Sequence, residues 1–163
     1  MTWGALDFDP TATAIPSLLS LPQRCEGTVS LTTKLPAQLH SLIDAHITGF
    51  NTQNPGLFLS VFGDTAIIID GIAPYRWLNP DAPVHWLADV EKWRKAHSVV
   101  EEHLSYEIGF AHLEGSHAYA LILGTLTIRT TAQSIIRTGT LAYTFAKQRD
   151  EWKIDAQAWG RTA

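Results

Sequence analysis

The chain has a single cysteine, Cys25, so no disulfide can form within it, which fits a reducing compartment. It also lacks any apolar run approaching the ~20 residues that a membrane-spanning helix needs. The nearest thing to a secretory leader, AIPSLLSLP at 14–22, contains two prolines and follows Asp7 and Asp9 with no Lys or Arg before it. The residues ahead of Cys25, Leu-Pro-Gln-Arg, are not the small ones that precede a lipid-anchored cysteine. A cytoplasmic protein with no membrane partner is expected. Lys and Arg number only 12 and form no run, and the net charge is −4, so no nucleic-acid partner is expected either. There is no HExxH set, no phosphate-cradling glycine loop and no G-x-S-x-G elbow. His97, His103, His112 and His117 fall on separate elements. No metal and no cofactor are therefore expected, and triad hydrolysis drops out.

What is present is a chain able to build a core. Its 163 residues are 45% apolar and 17% charged, which suits one globular domain burying roughly 70% of its unfolded surface. Residues 1–35, rich in Pro, Thr and Ser and without a sustained period, are expected to form an N-terminal extension or arm. Residues 36–163 form the domain. From Pro36, a favourable first-turn residue, Leu39, Leu42, Ile43, His46, Ile47 and Phe50 follow the spacing of one buried helical stripe. Pro55-Gly56 opens a short helix over Leu57, Phe58, Val61 and Phe62. The run TAIIID at 65–70 reads as a strand stopped by Gly71. A loop with three prolines covers 71–83. Asp81 can cap a helix at about 83–97, with Pro83 in its first turn and Trp86, Leu87, Val90, Trp93 and His97 on one face.

From Glu102 onward the pattern changes to strands. LSYEIGFAHL (104–113) and HAYALILGTLTIRT (117–130) flank a hairpin connection at Glu114-Gly115-Ser116. SIIRTGTLAYTFAKQ (134–148) and EWKIDAQAWGRT (151–162) follow. Helices first and long antiparallel strands afterwards argue for an α+β fold with the helices on one face of a curved sheet. Gly109, Gly124 and Gly139 interrupt consecutive strands and can mark the bulges or bends that curl it.

Two polar residues stand where the pattern calls for apolar ones. His46 interrupts the first helical stripe, and Asp70 ends the first strand. Each has a plain reading. A histidine on such a stripe can be a core residue satisfied by one hydrogen bond, and a carboxylate at a strand end can accept loop N–H groups. The sharper reading makes them a pair, an acid and an imidazole in one apolar cavity, suited to proton transfer. Asp70 shares pleat parity with Ala66 and Ile68, but both faces of TAIIID are apolar, so parity does not decide its direction.

The order of elements, together with FNTQNPGLFLSVFGDTAIIID after the first helix and the closing EWKIDAQAW, resembles the nuclear transport factor 2-like superfamily. Ketosteroid isomerases, SnoaL-like cyclases, scytalone dehydratase and many non-enzymatic binders share that cone. The resemblance covers about residues 36–162. It implies three N-terminal helices packed on a strongly curved, mostly antiparallel sheet. It places Asp70 where ketosteroid isomerases keep their proton-shuttling aspartate and His46 where they have an oxyanion-binding tyrosine. The neutral aspartic acid completing that oxyanion hole falls near Leu141. With one role matched, one replaced and one missing, the resemblance points away from a true steroid isomerase.

The expected activity is cofactor-free isomerisation, dehydration or cyclisation of a small hydrophobic carbonyl compound, with Asp70 and His46 as catalytic residues. Tyr75, Trp77, Trp86, Tyr106 and Phe110 are the candidate substrate-binding residues, with Trp93 and Trp159 as further wall aromatics. Tyr75 and Trp77 are placed as a lid, and Tyr106 as a hydroxyl donor. At least one of Trp86 and Trp93 is also readable as ordinary packing, as is Trp152. Glu101-Glu102-His103 reads as a solvated boundary, and Asp155 and Gln157 as a solvent or dimer face. The alternative is a non-catalytic ligand-binding or dimerisation module of the same fold. A homodimer is expected through the outer face of 117–130 and 134–148, as in relatives.

Overall fold

A computed structural model describes residues 35–78 and 80–162. The expected arm lies outside the described residues apart from Leu35, which is buried against the core. The first helix, α1 (Ala37–Asn51), begins directly after Pro36, whose carbonyl accepts the amides of Leu39 and His40. Its inward face is Leu39, Ile43, His46, Ile47 and Gly49. At Gly49 a side chain is impossible: a Cβ there would sit 2.5 Å from the Phe58 nitrogen. That close approach lets α2 (Pro55–Ser60) cross α1 at backbone distance, and the Asn54 side chain caps α2 by accepting the Leu57 amide at 3.1 Å.

Strand β1 (Phe62–Ile69) starts earlier than the TAIIID run, and β2 (Arg76–Trp77) folds back on it, with Ile68 opposite Trp77. Helix α3 (Ala82–Ala96) follows. Asp81 stands at its N-cap position but in a left-handed conformation (φ 63°), and its side chain makes no capping bond. Pro in the first turn remains. The buried face of α3 is Ala82, Pro83, Trp86, Val90 and Arg94, so an arginine joins the inward face, with Trp93 half-buried beside it and His97 exposed.

Four long strands complete the sheet: β3 (Val99–Glu114), β4 (His117–Thr130), β5 (Ser134–Gln148) and β6 (Glu151–Arg161). The strand order is β2-β1-β6-β5-β4-β3, with only the β1–β6 pair parallel. The fold is thus α+β, with N-terminal helices on a mostly antiparallel sheet. Register fixes which side chains face the helices. Opposite one another on that face lie Glu102 and Ile128, Leu104 and Leu126, Ile122 and Leu141, Tyr143 and Gln157, and Leu141 and Trp159. Gly124 and Gly139 are cross-strand partners, and a Cβ on either would meet the Trp159 indole, at 3.0 and 2.6 Å respectively. The pair of glycines makes the seat for that ring. No helix among the described residues is long and apolar enough to cross a membrane.

Candidate functional site

Between the helices and the concave sheet face lies a cavity of about 330 Å³. His46 enters it from α1. The side chain is 2% exposed and ringed by Phe58, Phe62 and Tyr143. The Tyr143 hydroxyl lies 2.8 Å from His46 Nδ1. Burial keeps the imidazole neutral, with its pKa lowered to about 3, and pushes the Tyr143 phenol well above its ordinary value.

A neutral imidazole and a neutral phenol can pair here in one sensible way: the Tyr143 O–H donates to Nδ1, which leaves the ring proton on Nε2. The reverse arrangement would strand the phenol proton without an acceptor. Gln157 faces the ring and slightly offsets the effect of burial, yet neither His46 Nε2 nor Gln157 Oε1 completes a hydrogen bond. The cavity therefore holds a fixed N–H donor beside a vacant carbonyl acceptor. Buried polar atoms without partners are rare in a core, and these two lie in the wall of a cavity, where a ligand oxygen can take up the His46 N–H.

The same burial makes a stability prediction. The folded pKa of His46 lies below the unfolded value, so its contribution is intact above about pH 6.5 and is lost as pH falls toward the folded value of about 3. The loss should reach about 2 kcal/mol by pH 5. Urea unfolding from pH 7 to 5 should show this slope in the wild type and a flatter one in His46→Gln.

Asp70 comes from the other side. It follows β1 with the parity of Ala66 and Ile68, both buried, while Ile69 faces out. Its Oδ2 accepts the Trp86 indole N–H at 3.1 Å, and its Oδ1 accepts the Ile72 amide at 3.3 Å. Burial raises its pKa, partly opposed by the Trp86, Gly71 and Ile72 donors, and the Glu102 charge raises it further. A carboxylate of raised basicity, oriented by an indole and two amides, is suited to taking a proton.

The structure brings His46, Asp70 and Trp86 to one cavity, with Trp93, Leu141 and Trp159 also in its wall. Four of the expected substrate-binding residues are elsewhere. Tyr75 is 62% exposed and lies outside the cavity wall. Trp77 is buried in β2, where its indole N–H donates to Asp89 at 2.9 Å on α3, so it is packing rather than lid. Tyr106 donates its hydroxyl to Asp44 at 2.6 Å, on the outer side of α1, and Asp44 also pairs with His40 at 2.9 Å. Phe110 was displaced by a bulge. The register slips between Ile108 and Phe110, which turns Phe110 to the convex face with Leu121 and against Tyr119.

Residues read as solvated supply the rest of the wall. Glu102 is 7% exposed and bonds Arg94 Nε at 2.5 Å, a buried ion pair joining α3 to β3, with the guanidinium 5.3 Å from the centre of the Phe50 ring. Gln157 is buried beside His46 rather than on a solvent or dimer face. Tyr143 carried a sequence signal in its parity with Leu141. Arg137 and Arg161 line the cavity at the end of β5 and β6 away from Tyr143. Among the described residues no cluster of three or more His, Cys, Asp or Glu is placed to hold a metal ion.

No family model and no curated protein matches this chain. Solved structures do. A ketosteroid isomerase-like protein from Erwinia carotovora atroseptica superposes with a TM-score of 0.66 at 14% identity, over 78% of this chain and 95% of its own. A hexachlorocyclohexane dehydrochlorinase from Novosphingobium barchaimii gives 0.64 at 14% identity, over 78% and 86%. A nuclear transport factor 2-like protein of unknown function from Pseudomonas putida gives 0.57 at 13%, over 75% and 82%. At such identities the likeness establishes the fold, which is the nuclear transport factor 2-like cone, and leaves the chemistry to the site.

Proposed function

We propose that this protein is a cofactor-free acid/base catalyst acting on a small apolar carbonyl compound held in the cavity. The observation that carries the reading is the buried neutral imidazole of His46, with Nδ1 engaged by Tyr143 and Nε2 unpartnered, in one cavity with a carboxylate of raised pKa. With the ligand carbonyl oxygen on His46 Nε2–H, Asp70 takes the proton from the neighbouring carbon. The C–H electron pair moves into the carbonyl, and the oxygen becomes an enolate stabilised by the imidazole N–H. Return of the proton to a different carbon completes an isomerisation. Departure of a hydroxyl on the next carbon, taking up a proton, completes a dehydration. No step requires a metal or an organic cofactor. The dehydrochlorinase and the ketosteroid isomerase-like protein among the structural neighbours support this class of chemistry without naming a substrate.

The experiment needs no known substrate. Incubated in D2O with a panel of cavity-sized aryl and alicyclic ketones, the protein should accelerate deuterium exchange at the carbon beside the carbonyl for some members, read by proton NMR. A panel that binds, as seen by tryptophan fluorescence, yet exchanges at the rate of buffer alone would favour the non-catalytic ligand-binding module.

The partner reading is a homodimer through the convex sheet face. Leu123 and Ile136 are 55% and 67% exposed there, with Leu123 next to Leu121 on one face of β4 and Ile136 on β5 opposite Thr127. Sedimentation at micromolar concentration should give a dimer mass for the wild type and a monomer for Leu123→Lys/Ile136→Lys. A monomeric wild type would contradict it.

A further inference from the structure

Arg137 lies on the concave face of β5, opposite Leu126 and in the wall of the cavity that holds His46. Its guanidinium reaches across to α3 and lies 5.7 Å from the centre of the Trp93 ring, and its Nε is fully buried with no hydrogen-bond partner. Among the described residues no carboxylate pairs with it. Arg161 enters the same cavity from β6, opposite Gly139, which makes it the diagonal neighbour of Arg137 on one sheet face. Diagonal pairs have Cβ atoms about 7–8 Å apart, within the reach of two guanidinium groups converging on one anion.

Of the two acids in the wall, Glu102 is already bound to Arg94, and Asp70 is engaged by Trp86 and Ile72. At this end of the cavity the Arg137 guanidinium has no counter-charge among the described residues, and the Trp93 and Trp159 rings lie beside it. It is also distant from the imidazole. Arg137 and Tyr143 are on the same strand, roughly 20 Å apart at about 3.3 Å per residue. Gly139, which has no side chain, and Leu141 lie between them.

We infer that the cavity takes an elongated apolar ligand bearing a carboxylate, anchored by Arg137 with Arg161 beside it in the wall, and with its carbonyl end at His46 and Asp70. The inference names the substrate class of the site described above and rests on that reading for the carbonyl end alone. The anchor fixes which carbon reaches Asp70, since a two-point hold removes the rotational freedom that a purely apolar pocket leaves. Arg137 also disfavours the neutral analogue, because binding the latter would leave its guanidinium buried without a partner.

The test uses a matched pair of probes, 2-naphthoate and 2-naphthamide, with binding read by tryptophan fluorescence and calorimetry. The wild type should bind the carboxylate at least tenfold more tightly than the amide. Arg137→Met should cut that preference to about twofold, with the carboxylate bound more weakly and the amide no less tightly, and Arg161→Met should reduce it as a second variant. Asp70→Asn should keep the preference. No preference in the wild type, or an unchanged preference in both arginine variants, would overturn the anchor. Loss of ketone exchange with the preference intact would instead remove the catalytic reading and leave the anchor standing.

Discussion

Asp70→Asn is expected to slow deuterium exchange of an accepted ketone by about 10³-fold, with ligand affinity changed little. The asparagine keeps the shape and one carbonyl acceptor for the Trp86 indole or the Ile72 amide, so the loop after β1 has no reason to unfold. What it loses is the negative charge and with it the basicity that the proposed proton transfer needs. The raised basicity of Asp70 has the apolar walls as its main cause and the Glu102 charge as a lesser one. Exchange rates in the wild type should therefore rise with pH through a midpoint above the ordinary carboxylate value, and Asp70→Asn should lack that limb. A variant that still exchanges within tenfold of the wild type would show that another group moves the proton.

The second large effect concerns the Arg94–Glu102 pair. Arg94→Met should cost about 3–5 kcal/mol in urea unfolding at pH 7, because it leaves Glu102 charged in the core with no cation beside it. The double variant Arg94→Met/Glu102→Leu should recover most of that loss, since a buried pair replaced by apolar side chains of similar size is often neutral. This distinguishes an unpaired charge from lost packing against Phe50, which the double variant would not restore. The pair also matters to the site. Glu102 lines the cavity and adds to the rise in the Asp70 pKa, so Arg94 holds in place a charge that Asp70 feels.

The fold was legible where turns and periodicity were strong. The hairpin at Glu114-Gly115-Ser116 bounds β3 and β4, and β4 and β5 occupy the ranges that their alternation marks. Strand β2 was hidden among prolines because its existence depends on Ile68 finding Trp77, a tertiary fact. Glu102 looked solvated for a similar reason: its partner Arg94 comes from another element, and nothing local announces the pair. Phe110 shows how counting by twos fails, since one extra residue near Gly109 moves everything beyond it to the opposite face. Parity linked Gln157 to Trp159, but only the pairing of Tyr143 with Gln157 tells which face is inward. Tyr143 and Gln157 are the residues that turn His46 from an interruption in a helical stripe into a directed donor.

Nitrogen-15 NMR of the histidine rings measures that direction. His46 Nε2 should carry the proton, Nδ1 should have the shift of an unprotonated acceptor, and neither should titrate between about pH 8 and pH 5. Tyr143→Phe should move the Nδ1 signal, as loss of its donor requires. A His46 ring that titrates near its ordinary pKa of about 6.5, or that carries its proton on Nδ1, would contradict the account.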